Sequence, residues 1–430
     1  MPTPPVHPDL LPRLLLGEPP GGALGPALDA LWGLAIVLFV FLPAISAIGF
    51  LAIWAERKVA GRLQHRHGPN RVGPLGLLQS LADGIKLASK EDLTPARADV
   101  WLFRLAPYLA FPPVFAAFIA IPFGPDWAFE PSLSAGLFWM LAILGVEVIG
   151  VILAGWASNN KWSMYGAMRE ACQLISYEIP LGVSILVVVV SAGTLDLRLL
   201  AWQQASSIAK WNLFHDPFSL AAFFVFFTAS LASNKRAPFD LPESDSELVA
   251  GYHTEYSGLR FSLFYLAEYA AMFVMGAVMT ALYLGGWADP FGLLARRYEL
   301  AAAVPASWEL VALNVIATAI FSIKTSAIVF VQMWVRWTLP RPRIDQVLHA
   351  CLKVMMPAAL SLLLASSLWV LLVGRESLVQ RVTETVLAAG GVAFLLAIFA
   401  YCGLAFVQGR SNQYRLGTHP WPSDLPGGGL

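Results

Sequence analysis

Nine stretches of about 20 predominantly apolar residues recur along this 430-residue chain, and they limit its fold more than any other feature. They run at roughly 31–55, 101–123, 134–156, 172–193, 217–233, 262–284, 309–335, 350–373 and 384–408. In lipid every backbone polar group must be paired internally, so such stretches become helices or strands of a closed barrel. A barrel needs alternating segments of about ten residues. The runs here are unbroken, as from Ile185 to Val190 and from Phe223 to Phe227, so the expected fold is an all-α polytopic membrane protein. Only 13% of residues are charged, against about 25% in soluble domains, too few to clothe a water-facing surface.

Basic residues set the expected orientation. With nine spans, one set of alternate segments (56–104, 157–171, 234–261, 336–353 and the C-terminal tail) holds about 20 of the 28 Lys and Arg residues. The other set holds about seven: Arg13, Arg198, Lys210, Arg296, Arg297, Arg375 and Arg381. The first set is therefore expected in the cytoplasm, with the N-terminus outside and the C-terminus inside. Residues 1–30 hold eight prolines and no basic leader, which reads as an irregular arm and not a signal peptide. One membrane domain is expected over 31–408, then a tail over 409–430.

Several chemistries have no support in the sequence. A net charge of zero gives no footprint for nucleic acid. Cys172, Cys351 and Cys402 stand apart, without the paired spacing that holds an iron–sulfur cluster. His65 and His67 lack zinc spacing, and no G-x-G-x-x-G follows a strand. The chain is thus expected to bind no metal, flavin or nucleotide; electrons would arrive on a partner.

The motif-like sequence lies in the expected cytoplasmic segments. The first, 56–100, carries Glu56-Arg57-Lys58, Arg66 and two Gly-Pro pairs, Gly68-Pro69 and Gly73-Pro74, which force a non-helical turn. From Leu75 to Lys90 the polar residues Gln79, Asp83, Lys86 and Lys90 recur at spacings of four, three and four, a narrow stripe on a lateral helix. A surface helix usually shows a broad charged face. A narrow stripe also suits a cavity wall with Asp83 and Lys86 turned inward, and periodicity alone leaves the two open. Arg57 and Lys58 equally suit topology-setting charges at a helix end.

The segment 234–261 places Asp240, Glu243, Asp245, Glu247 and Glu255 within sixteen residues, among Leu, Val, Phe and Tyr. A solvated acidic loop is the plain explanation of such a run; the apolar residues point to packing. Further charges, Glu147, Glu178, Glu268 and Lys324, fall inside the spans, where each costs at least about 2.5–3.5 kcal/mol and defaults to a cavity or a function. Clustered carboxylates away from water couple their protonation and can pass protons. The alternative is structural, with Glu178 paired to Arg169 nine residues earlier.

Four ordered blocks carry a specific resemblance. They are Glu56 to Gln79 with Asp83 and Lys86; Gly155 to Asn159 with Ile175-Ser176-Tyr177-Glu178; Asn234 to Tyr256 with Ala267-Glu268-Tyr269; and Trp334-Val335-Arg336 with Leu339-Pro340-Arg341, Arg343 and Asp345-Gln346. Together they resemble the membrane subunit called H in bacterial NADH:quinone oxidoreductase (respiratory complex I) and subunit 1 in mitochondria. The resemblance covers roughly 31–373.

It implies a subunit of a proton-translocating oxidoreductase in the cell inner membrane, with quinone as substrate. Flavin and iron–sulfur clusters would sit on peripheral partner subunits, and small membrane subunits and lipid would lie alongside. Arg57, Lys58, Arg66, Asp83, Lys86, Glu243, Asp245, Glu247 and Glu255 would belong to the quinone chamber and its approach. Glu147, Arg169, Glu178, Glu268 and Lys324 would belong to a proton-coupling path. Two other readings stay open: the same subunit in a ferredoxin-dependent or hydrogen-evolving relative, and a stand-alone secondary transporter, which would show internal repeats.

Overall fold

The computed structural model describes Phe39 and residues 41–128, 133–301, 308–373 and 377–416, and only the backbone at Asp245, Ser246, Leu395, Phe399 and 402–416. The described residues form helices and no strands. The principal ones are α1 (Leu42–Leu63), α2 (Gln79–Ser89), α3 (Val100–Ala117), α4 (Gly136–Ala157) and α5 (Lys161–Ala192). They continue with α6 (Ser219–Ser233), α7 (Gly258–Tyr283), α8 (Trp308–Thr338), α9 (Met356–Val373) and α10 (Leu378–Leu416). Apart from α2, each matches one expected span. Among the described residues seven helical segments are long and apolar enough to cross a membrane; α1 and the 15-residue α6 fall outside that set. The chain is a multi-pass membrane protein.

The bundle is built around α7 and α5. Every residue from Ala267 to Tyr283 is buried, and many are Ala, Gly or Met. Small side chains let neighbouring helices approach where lipid offers no hydrophobic drive. Helices α1, α2, α3 and α8 pack on α7, while α4, α6 and α9 pack on α5. α5 starts where the Asn160 side chain accepts from the Trp162 N–H at 3.0 Å and stops at Gly193, φ +74°.

Several sequence boundaries move. Residues 31–38 and 40 of the first expected span lie outside the described residues, as do the arm 1–30 and the tail from 417. α1 runs on through Glu56-Arg57-Lys58 to Leu63, so those charges stand on a helix and not in a loop. The lateral helix starts at Gln79 instead of Leu75, because the Gly-Pro turn continues as a tight turn over Pro74–Gly76 with Leu75 at φ +54°. The expected loop 157–171 shrinks to the turn after Ala157, since the Asn160 cap starts α5 at Lys161. Arg169 and Glu170 therefore sit on α5. α10 extends the backbone to Leu416, past the expected start of the tail at 409.

α10 leans on the rest through a polar clip. Glu384, 2% exposed, accepts from Lys210 Nζ at 2.8 Å and lies 3.0 Å from His215 Nδ1. Beside it Gln380 accepts from Trp369 Nε1 at 2.8 Å.

Candidate functional site

The turn Gly68–Pro74 folds back on α1. Lys58 Nζ donates to Asn70 Oδ1, and Arg66 Nε to Gln64 Oε1 at 2.7 Å. From α1, Arg57 reaches across to α2 and pairs with Asp83, which also accepts from Gln79 at 3.2 Å. Partial burial opposes ionisation of Asp83, but Arg57 outweighs it and holds the carboxyl below the usual carboxylate range. The Arg57–Asp83 pair marks the polar edge of a cavity of about 530 Å³ between α1, α2 and α7, walled by Phe50, Ile53, Leu81, Ile85, Leu263 and Leu266. A second cavity of about 410 Å³, lined by Glu56, Arg66, His67, Tyr269 and Arg336, adjoins it; Arg57 and Tyr265 line both.

Behind that second cavity lies a buried ionic network built on two consecutive residues just after α6. Lys235 and Arg236, 3% and 2% exposed, fan in opposite directions. Arg236 pairs with Glu56 of α1 at 2.9 Å and with Glu268 of α7 at 3.1 Å, over the ring of Tyr269 at 4.2 Å. Arg336 of α8 closes on Glu56 from the other side. Lys235 turns toward α4 and α5, 2.8 Å from Glu147 and 3.9 Å from Glu170. Burial pulls the Lys235 ammonium down, and the carboxylates of Glu147 and Glu170 more than reverse it. Five helices thus meet around one dipeptide.

Most of the rest of 234–261 is packed, with Glu247, Val249 and Leu259 exposed. It lies on one face of α5 formed by Gly166, Glu170, Gln173 and Tyr177, all buried, at spacings of four, three and four. Gln173 Nε2 donates to the carbonyls of Ala232 at 2.8 Å and Phe239 at 2.9 Å. Gly166 is required: a Cβ there would stand 2.8 Å from both Pro242 O and Tyr252 N. Glu243 accepts from Tyr252 Oη at 2.8 Å and lies 3.0 Å from His253 Nε2. Burial raises the Glu243 carboxyl, but the His253 and Tyr252 contacts win and hold it at about 2. Asp240 goes the other way, pushed up to about 7 by burial and by the Glu243 charge, against its ion pair with Arg341 at 2.8 Å.

Comparison with known proteins bears on this arrangement directly. The family model described as NADH dehydrogenase matches residues 34–367, most of the chain and all of the site. The chain belongs to the NADH dehydrogenase family. Relatives named as the H subunit of NADH-quinone oxidoreductase include one from Anaeromyxobacter dehalogenans, 40% identical over 386 residues, covering 88% of this chain and 90% of the relative. One from Chlorobaculum parvum is 41% identical over 360 residues (80% and 96%), and one from Brevibacillus brevis is 45% identical over 334 residues (76% and 92%). The NADH dehydrogenase match stops before α10, so the clip at Glu384 joins a helix beyond the matched region to the family's fold.

Within this member of the NADH dehydrogenase family, the expected site residues fall into separate groups. Arg57, Asp83 and Lys86 line the first cavity, and Arg57 and Arg66 the second. Lys86 is mostly exposed, 3.6 Å from Asp83. Glu147 and Glu268 enter the buried network on its two sides. Glu255 accepts from Asn160 at 2.5 Å at the start of α5. Arg169 pairs with Glu247 at 2.5 Å on the surface of α5, not with Glu178. Glu178 opens instead on a cavity of about 210 Å³ that also reaches Glu147. Lys324 stands far from these groups, donating to the carbonyls of Leu284 at 2.7 Å, Gly286 at 3.1 Å and Ala288 at 2.6 Å. The side chain of Asp245 lies outside the described residues. The sequence reading missed Lys235, Arg236, Glu56, Arg336, Arg341 and Glu170 as site residues, having taken their charges for loop charges.

Proposed function

We propose that this chain is the membrane subunit that forms the quinone chamber of a proton-translocating NADH:quinone oxidoreductase and begins its proton-coupling path. One observation carries the reading: an apolar cavity between α1, α2 and α7 adjoins, at Arg57 and Tyr265, a polar cavity that ends on the ionic network. A quinone has that same polarity, a long apolar tail and a polar head. The first cavity suits the tail, lodged between helices that otherwise face lipid. Arg57, Arg66 and Arg336 line the approach by which the head passes onward to partner subunits holding the terminal iron–sulfur cluster. Flavin and the other clusters belong to those partners. The basic, motif-bearing end faces the cytoplasm, the N-terminus lies outside, and small membrane subunits and lipid cover the exposed apolar faces.

The coupling path starts at the network. Reduction changes the charge of the quinone head. Electrostatic energy at an effective dielectric of about 20 is still about 4 kcal/mol at 4 Å, enough to shift protons among carboxylates that share buried cations. Glu56 and Glu268 share Arg236, and Glu147 shares Lys235.

The test is kinetic. In the assembled complex, Asp83→Asn or Arg57→Ala should lower NADH:quinone activity, while NADH:ferricyanide activity, which needs no chamber, is retained. Unchanged quinone reduction with normal assembly refutes the chamber assignment.

A further inference from the structure

Among the side chains of the network, Glu170 is a carboxylate left with both oxygens unsatisfied. It is fully buried on α5, and among the described residues neither of its carboxylate oxygens has a hydrogen-bond partner. Its only cation within ion-pair range among those residues is Lys235 at 3.9 Å, and Lys235 is already committed to Glu147 at 2.8 Å. Two carboxylates therefore share one ammonium out of water. With both ionised the trio carries one net negative charge. An unpaired buried charge costs several kcal/mol, which one proton removes.

The position of Glu170 adds direction. On one side it lies on the face of α5 that the packed segment after α6 covers, the segment that carries Glu243. On the other, Glu147 lines the 210 Å³ cavity with Tyr177, Ser233, Asn234 and Glu178. That cavity is polar in part and has room for bridging water. Glu170 and Lys235 thus lie between the carboxylates of the packed segment and those of the α4–α5 flank.

We propose that Glu170 is a proton-holding group of the coupling path, exchanging one proton with Glu147 across Lys235. At rest Glu170 is the carboxylic acid and Glu147 the carboxylate paired to Lys235. In the step, the proton leaves a Glu170 oxygen and, through water, bonds to a Glu147 oxygen. Lys235 keeps its three protons throughout and swings from the neutralised Glu147 to the newly ionised Glu170. No electron moves, and the trio stays neutral in both states, so the swing needs no other counter-ion. This assignment rests on the coupling-path reading above.

The experiment uses the whole complex. Infrared spectra of the resting enzyme should show the carbonyl stretch of a protonated carboxylic acid that Glu170→Gln removes. Lys235→Met, which strips both carboxylates of their cation, should add a second such band. In vesicles, Glu170→Gln should assemble and lose proton uptake coupled to quinone reduction by about a hundredfold, the scale of a lost proton-transfer group. An unchanged carboxylic band, or full coupling in Glu170→Gln, overturns the proposal. So does a Glu170→Gln complex that fails to assemble while Glu170→Gln/Lys235→Met assembles, since Glu170 is then a counter-ion. Should neither variant assemble, Glu170→Asp takes their place, and an unshifted band overturns the proposal. Failure of the quinone reading shows separately, in Asp83→Asn turnover, and leaves the resting spectrum untouched.

Discussion

Replacing Arg236 by methionine keeps most of the side-chain volume and removes the charge on which α1, α6 and α7 converge. Arg236 is 2% exposed and pairs with Glu56 at 2.9 Å and Glu268 at 3.1 Å. Without it Glu268 has no ion-pair partner among the described residues, and Glu56 keeps only Arg336. Breaking a buried pair by removing one partner costs about 3–5 kcal/mol, because the other charge stays behind. The contact with the Tyr269 ring is lost as well, worth about 0.5–2 kcal/mol. A loss of about 3 kcal/mol already lowers the folded-to-unfolded ratio on the order of a hundredfold. Arg236→Met should therefore give little assembled complex on native electrophoresis, and what assembles should melt earlier. Arg236→Met/Glu268→Gln, which removes the stranded charge, should recover much of the loss. If the single variant assembles and melts like the wild type, the network is not what joins these helices.

Asp240 gives a pH dependence of known sign. Its carboxyl is pushed up to about 7 from an ordinary 3.8, so between those values the folded protein holds a proton that the unfolded chain has released. Its contribution to stability is complete below about pH 4 and is lost as pH rises through about 7. Asp240→Asn should therefore gain melting temperature relative to wild type across that interval, and a difference independent of pH would contradict the assignment. At the other end, Glu384→Leu removes the acceptor shared by Lys210 and His215. Limited proteolysis should then cut at the α9–α10 connection while the remaining helices stay protected; equal protection would mean that the clip does not hold α10.

The helices were legible in the sequence because lipid demands long apolar runs, and that demand leaves a plain record. The network was not, and Lys235 shows why. In the sequence its dipeptide enters only among the basic residues of the segment 234–261, and only the fold reveals that both side chains turn inward. Glu170 was hidden by a boundary: hydropathy begins the span at 172, but a capped helix begins at Lys161 and carries polar residues into the core. A signal was present in Gly166, Glu170, Gln173 and Tyr177, whose spacing puts them on one helical face. Arg57 and Asp83 were legible in part, since the stripe on α2 suggested a cavity wall, though it could not say which helix supplies the partner. The sequence places Lys324 inside a span, and α8 holds it there. Its partners are backbone carbonyls of the turn after α7, which no side-chain pattern announces.

The central claim is that quinone occupies the space between α1, α2 and α7. A photoreactive quinone with its reactive group on the tail tests it in the assembled complex, followed by mapping of the labelled peptides. Label should fall on the wall residues, Phe50 and Ile53 of α1, Leu81 and Ile85 of α2, and Leu263 and Leu266 of α7, and excess unlabelled quinone should displace it. Labelling that spares all three helices, or that survives competition, would contradict the claim.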